Sequence, residues 1–213
     1  MKTLMKISTG LTSLDEVCDS LRLGDNVVWQ VDSLYDYEQF VLPFASSAMK
    51  DGRRVAYIRF ATHEPLLAPH QYTVLYELDP QRGFEMFTTN LHGIIGQEGK
   101  EVFYVFDCLS DLQSAWATDL MLGNFFSITC PYLFNLDTIA YFALLRNSHS
   151  FKTVARIRET TQLLVDVYNA ETNFYIHPLK VLNRYTPTMF FPHLKKGNTF
   201  TPIIDSIEAT YLI

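Results

Sequence analysis

Short runs dense in β-branched and aromatic residues alternate along this chain with longer stretches in which apolar residues recur every three or four positions. That alternation constrains the fold more than any other feature. A strand buried on both faces, followed by an amphipathic helix, is the repeating unit of a parallel sheet flanked by helices. Asn26–Val31 reads as the first such strand, entered through Gly24-Asp25. Leu34, Tyr37, Val41, Phe44 and Ala48 then form a helical stripe, interrupted by Pro43, which predicts a kink or a late start. Asp51-Gly52 closes that helix, Arg54–Phe60 is a second strand and Tyr72–Leu78 a third. Asp79-Pro80 opens a helix whose apolar face is Phe84, Phe87, Leu91 and Ile94. Val102–Asp107 is the strongest buried strand and ends in a carboxylate. Helical segments are expected across Asp111–Met121 and Leu122–Leu133, a strand over Thr138–Leu145, and a helix over Phe151–Thr161. Leu163–Tyr168 and Phe174–Val181 are β-rich runs joined by a short polar turn, a hairpin. The pattern gives an α/β fold around a mainly parallel sheet with a C-terminal antiparallel hairpin.

Several classes of protein are excluded by composition. A chain of 213 residues with 48% hydrophobic and 19% charged residues has material for a sizeable core. The net charge of −6 argues against general nucleic-acid binding. No apolar run approaches the roughly 20 residues that cross a bilayer, and Met1–Gly10 lacks the apolar stretch of a signal peptide. Cys18, Cys108 and Cys130 form neither a disulfide framework nor a zinc spacing and fit a reducing cytoplasm. Charge is uneven: residues 1–145 sum to −9 and residues 146–213 to +3. Arg146, His149, Lys152, Arg156, Arg158, Lys180 and Arg184 make the basic third a candidate anion-binding or docking surface. Solvation of the last helix and hairpin is the structural alternative.

Four local matches carry a resemblance. Thr9-Gly10-Leu11-Thr12-Ser13-Leu14-Asp15 is similar to the T-G-x-x-x-L-D entry of KaiC-like domains, and Leu23–Trp29 resembles the entry to their first strand. Val102–Asp107 looks like a Walker B strand, and Leu163–Lys180 resembles the terminal hairpin. The chain thus resembles the RecA/KaiC-like branch of the P-loop ATPases. It is also similar to the RecA-like domain that precedes the nucleotide-binding modules of some phosphoenolpyruvate synthase or pyruvate phosphate dikinase-type proteins. Gly24–Asp32, His149-Ser150-Phe151 and Pro187–Phe190 carry that second likeness. The resemblance implies a RecA-like three-layer α/β/α fold in a single domain over 1–213, with 185–213 as an edge-covering or interface tail.

The nucleotide machinery of that family is missing. A phosphate loop needs glycines whose amides wrap the phosphates, a lysine, and a hydroxyl for magnesium. Asp32-Ser33-Leu34-Tyr35-Asp36-Tyr37-Glu38 stands there instead, with no glycine or lysine and three carboxylates. Carboxylates at a helix start satisfy free N–H groups, so this loop reads as self-capped. Ala61 and Thr62 occupy the places where the family has acidic residues after the second strand, with Glu64 slightly beyond. Asp107 keeps the Walker B place, either as a vestige or as a hydrogen-bonding group of the crevice or a cap for the next helix. Lys180 matches a hairpin lysine, but the arginine expected beside it is displaced to Arg184.

Asp32, Ser33, Asp36, Glu64 and Asp107 are therefore vestigial nucleotide-site positions. Asp32, Glu64, Asp107 and Asp111 are expected to gather at the strand ends in an acidic crevice. The sequence contains no G-x-S-x-G, H-E-x-x-H or C-x-x-C, and His63, His70 and Glu64 fit no standard metal-ligand spacing. No metal, no cofactor and no catalytic residue is assigned. The functional expectation is a non-catalytic, cytoplasmic regulatory or assembly module with a protein partner or covalent neighbour, linked to phosphoenolpyruvate/pyruvate phosphotransfer. A homo-oligomer is compatible with it, and nucleic acid and membrane are not expected as partners. Two alternatives stay open. One is an atypical ATP-binding protein or ATPase using Mg·ATP and charge from Lys50, Arg53, Arg59 or a neighbour's Lys180. The other is a sensor holding a small cationic or neutral ligand in the acidic crevice.

Overall fold

The computed structural model describes residues 5–116, 118–170 and 173–212. In chain order the elements are α1 (Thr12–Cys18), β1 (Asn26–Val31), α2 (Leu34–Lys50), β2 (Val55–Arg59), β3 (Val74–Glu77), α3 (Phe84–Glu98) and β4 (Phe103–Cys108). There follow α4 (Asp119–Asn135), β5 (Ile139–Leu145), α5 (Phe151–Thr160), β6 (Leu163–Ala170), β7 (Asn173–Val181), β8 (His193–Lys196), β9 (Thr199–Pro202) and α6 (Ser206–Tyr211). The strands form one sheet in the order β3-β2-β4-β5-β1-β6-β7-β8-β9. From β3 to β6 every neighbour pairs in parallel, and β6 through β9 are antiparallel. The protein is α/β with a mostly parallel mixed sheet and a C-terminal antiparallel hairpin.

Alternation along the buried strands divides the core. Trp29, Tyr57, Phe103, Val105 and Tyr141 pack with α1 and α2. Val28, Ile58, Tyr104, Phe106 and Phe142 pack with α3, α4 and α5 on the other face. Flat stacking of Phe44 on Tyr141 (3.9 Å) and Trp29 on Phe40 (4.1 Å) joins α2 to the sheet centre.

The helix α2 begins at Leu34 and runs through Pro43, so the proline brings no late start. Its N-terminus is a reciprocal capping box: Ser33 Oγ accepts from the Asp36 N–H and Asp36 accepts from the Ser33 N–H. Gly10 packs against the middle of this helix. Its φ is +85°, and a Cβ there would lie 2.2 Å from the Pro43 carbonyl oxygen, so close approach demands glycine. Asp15 fixes the same turn by accepting from the Thr9 N–H (2.7 Å) and the Ser8 hydroxyl (2.6 Å).

The expected apolar face of α3 packs on the core, Phe87 and Leu91 buried and Phe84 and Ile94 partly so, and Ile95 joins it as the next turn of the Phe87–Leu91 stripe. Two expectations need correction. The helix expected over Asp111–Met121 is instead a 3₁₀ segment, Leu109–Ser114, that buries Leu109 and Leu112; a single helix, α4, then starts at Asp119. Residues beyond 185 do more than cover an edge: β8 and β9 lengthen the sheet, while Met189 and Phe200 enter the core beside α1 and α2. Prolines punctuate rather than prevent these strands. Pro192 immediately precedes β8, and Pro178 sits beside the register shift between β6 and β7, the kind of place where a strand tolerates proline. Of the expected turn 169–173, residues 171 and 172 lie outside the described residues.

Candidate functional site

The carboxyl ends of parallel strands are where α/β proteins place ligands, because loops diverge there and leave a crevice. At the end of β1 that space is occupied by the protein's own groups. The capping box uses the Ser33 and Asp36 amides. Asp32 Oδ1 accepts from Arg146 Nε at 2.7 Å, and the same guanidinium reaches Asp166 Oδ2 (2.8 Å) and the Val167 carbonyl (2.6 Å). Arg146 also lies over the Tyr168 ring, 5.5 Å from its centroid. One arginine thus ties the ends of β1, β5 and β6 together. Beside it is a cleft of about 430 Å³, walled by Asp32, Arg146, Asp166, Tyr168 and His177. Desolvation pushes the Tyr168 hydroxyl up to about 12 and lowers His177, which keeps the imidazole neutral more readily.

Asp107, at the end of β4, is fully buried. Oδ1 accepts from the Tyr57 hydroxyl at 2.6 Å, and Oδ2 accepts from the Phe60 and Ala61 N–H groups at 3.0 Å each. Tyr57 in turn accepts from the Leu66 N–H at 2.9 Å. Arg59 Nε stands 3.6 Å from Asp107, while Arg59 Nη2 donates to the Ala61 and His63 carbonyls. This carboxylate therefore folds the loop after β2 over itself and hydrogen-bonds within the crevice, with no capping bond to the next helix. Desolvation, hydrogen bonding to Asp107 and its charge together push the Tyr57 hydroxyl well above its ordinary value.

The four carboxylates expected to share one crevice are separated. Asp32 lines the cleft at β1 and β6, Asp111 lines another of about 340 Å³ with Phe60, Thr62 and Gln81, Asp107 is sealed beneath the loop, and Glu64 is exposed. The physical cause is that Asp107 draws residues 60–61 across the space between them.

The basic set is divided as well. The Arg184 side chain is 2% exposed, paired with Asp25 at 2.7 Å and donating to the Ser20 carbonyl. His149 is 1% exposed. Arg156 donates to Asn124 Oδ1, Arg158 donates to the Leu179 carbonyl, and Lys180 donates to the Arg158 and Glu159 carbonyls. Only Lys152 of the seven is exposed without a polar side-chain bond. The expected docking surface is therefore largely a set of internal braces. Of the cations invoked for an atypical ATP site, Arg59 is committed as above, Arg53 faces Glu101 at 3.4 Å, and Lys50 is exposed.

Among the described residues no group of three or more His, Cys, Asp or Glu side chains is placed to hold a metal ion. All three thiols are buried; desolvation pushes Cys18 up to about 12 and Cys108 up to about 11. No helix among the described residues is long and apolar enough to cross a membrane.

One arrangement escaped the sequence. Ser110 Oγ lies 2.8 Å from His149 Nε2, and His149 Nδ1 lies 2.7 Å from Asp119 Oδ1. The serine comes from the 3₁₀ segment after β4, the aspartate from the first turn of α4, and the histidine from the β5–α5 loop. No local motif announces it, because its members are 39 and 30 positions apart. The Ser150 N–H (3.0 Å) and hydroxyl (2.7 Å) donate to Asp119 Oδ2. Against desolvation, which would raise it, these and the histidine bond hold the Asp119 carboxyl well below the usual range.

No known protein-family model matches the chain, and no curated protein matches it significantly.

Proposed function

We propose that the chain is a RecA/KaiC-like three-layer domain whose nucleotide site is closed and which works as a regulatory or assembly module. Support for the fold comes from the strand order, with β1 between β5 and β6 and β4, the strand that resembles Walker B, two places away. A single observation carries the functional reading. The loop after β1 spends its amides on the Ser33–Asp36 capping box and presents Asp32 to Arg146, so it offers a triphosphate carboxylates in place of donors. A covalent neighbour or protein partner in phosphoenolpyruvate/pyruvate phosphotransfer is proposed on the sequence resemblance alone. Calorimetric titration with Mg·ATP and Mg·ADP to millimolar concentration tests the closed site. Absence of heat and an unmoved melting temperature are expected; saturable binding would overturn the reading and return the atypical ATPase to first place.

The cleft bounded by Asp32, Asp166, Arg146 and Tyr168 favours a second reading, the small-ligand sensor. Its two carboxylates exceed its one guanidinium, so a small amine is the ligand class, and a screen of short amines by melting temperature tests it.

A further inference from the structure

The hydrogen bonds around His149 have a defined direction. Asp119 is ionised and can only accept, so the proton between it and His149 resides on Nδ1. With the ring's single proton on Nδ1, Nε2 presents a lone pair to which the Ser110 hydroxyl donates across the 2.8 Å contact, the Cys108 sulfur being the second acceptor within reach of that hydroxyl. Ser110 Oγ uses one of its own lone pairs to accept from the Leu145 N–H (2.8 Å), which holds it in place and leaves the other lone pair free. A hydroxyl donating to an imidazole whose far nitrogen is anchored on a carboxylate is an activated nucleophile. Ser110 also lines the cleft of about 340 Å³ at the carboxyl end of β4, with Thr62 and Gln81 supplying exposed hydrogen-bond donors.

We propose that Ser110, His149 and Asp119 form a nucleophilic relay that acts on small, uncharged carboxylic esters entering this cleft. Size follows from the cleft volume, and lack of negative charge from Asp111 on its wall. Ser110 Oγ bonds to the ester carbonyl carbon as its proton passes to His149 Nε2. The tetrahedral adduct collapses with cleavage of the carbon–alkoxide bond, and His149 returns the proton to the departing alkoxide. Water then repeats the sequence on the acyl-serine, releasing the carboxylic acid and restoring the hydroxyl. Asp119 is a positioning residue, and none of the three takes part in closing the β1–α2 loop, so this proposal stands or falls apart from the nucleotide reading.

The test uses the full chain with an alkyl fluorophosphonate, whose phosphorus is attacked by an activated serine with loss of fluoride. Intact mass should rise by one phosphonyl group per chain, and peptide mapping should place it on Ser110. Ser110→Ala should abolish the adduct while p-nitrophenyl acetate cleavage falls to the uncatalysed rate. Asp119→Asn is the discriminating variant. The Ser150 N–H requires an acceptor at Oδ2, so the asparagine amide must turn its NH₂ toward His149, which reverses the tautomer and removes the base facing Ser110. Labelling should slow by about 10²- to 10⁴-fold, with far-ultraviolet circular dichroism reporting that the variant is folded. No adduct on Ser110 of the wild-type chain, or an unchanged labelling rate in folded Asp119→Asn, would overturn the proposal. If a variant fails to fold, the mapping on the wild-type chain still decides.

Discussion

A carboxylate withdrawn from water needs a cation or several donors, and three aspartates here meet that need differently. Asp107 relies on a phenol and two backbone amides, Asp119 on a histidine and Ser150, and Asp25 on the guanidinium of Arg184. For the last pair, removing the cation strands a charge that is 3% exposed. Arg184→Ala should therefore cost about 3–5 kcal/mol, read from the shift of the denaturant midpoint, and Asp25→Asn in the same chain should recover part of it. Asp25 and Asp119 also respond oppositely to pH. Desolvation raises Asp25 above its ordinary value, so its contribution is full at low pH and is lost as pH rises through the folded value. Asp119 is depressed, so its contribution is present above the ordinary carboxylate range and is lost as pH falls. Melting temperatures measured between about pH 2 and pH 5 should fall less steeply with acid in Asp119→Asn than in the parent chain. At this scale the sequence was legible where partners are neighbours: Ser33 and Asp36 form a cap that three-residue spacing announces. Ser110, His149 and Asp119 were not legible as a set, because only the folded sheet brings three separate loops together.

Among the elements, α2 shows how a helix with a proline at its centre is accommodated. The chain entering α1 lies on the Pro43 carbonyl, and only a residue without Cβ can lie so close. Gly10→Ala forces either a backbone overlap or displacement of α1, in addition to the cost of a positive φ. The expected loss is about 2–4 kcal/mol, seen as a fall in melting temperature of roughly 5–15 °C. A substitution at Gly52, where a Cβ would meet nothing, has only the φ cost and should lose less. Elements built from local periodicity were readable: β1, α2, β4, β5 and the β6–β7 hairpin fall within a residue or two of the runs that announce them. The strands β8 and β9 were not, since His193-Leu194-Lys195-Lys196 has no apolar alternation and follows Pro192. Its burial is supplied by neighbours, with His193 fully buried and β7 offering an open edge. The helix expected over Asp111–Met121 was misplaced: the 3₁₀ segment begins two residues earlier, at Leu109, ends at Ser114, and α4 starts only at Asp119.

At the scale of the whole molecule, one sheet separates two aromatic cores, and each core holds one tryptophan. Trp29 stacks on Phe40 on the α1–α2 face, and Trp116 meets Phe84 and Phe87 edge-on on the α3–α4 face. Because the same strands wall both cores, neither should melt alone. Trp29→Phe and Trp116→Phe, each leaving a single fluorophore, should give thermal transitions with coincident midpoints once each variant is compared with its own circular dichroism. Separated midpoints would show that the faces unfold independently. The parallel core was legible from alternating strand and helix patterns, whereas the charge asymmetry was misleading at this scale. Of the basic residues after position 145, Arg146, Arg156, Arg184 and Lys195 stitch the C-terminal elements to the body, and Arg22 answers from the other side by donating to the Asn183 carbonyl.

For an engineer, the wiring of Asp107 sets the order in which this crevice could be rebuilt. Grafting a glycine-rich, lysine-bearing loop over residues 32–38 would create phosphate donors, yet the carboxylate of β4 itself, Asp107, would still be spoken for by Tyr57 and two amides. Freeing it means cutting a latch that also anchors the Leu66 amide, so the gain of a cation ligand begins with a loss of stability. A library that varies the grafted loop alone would leave Asp107 engaged in every member. One that first stabilises the segment from Phe60 to Leu66 by other contacts, and only then releases the carboxylate, would follow a passable route.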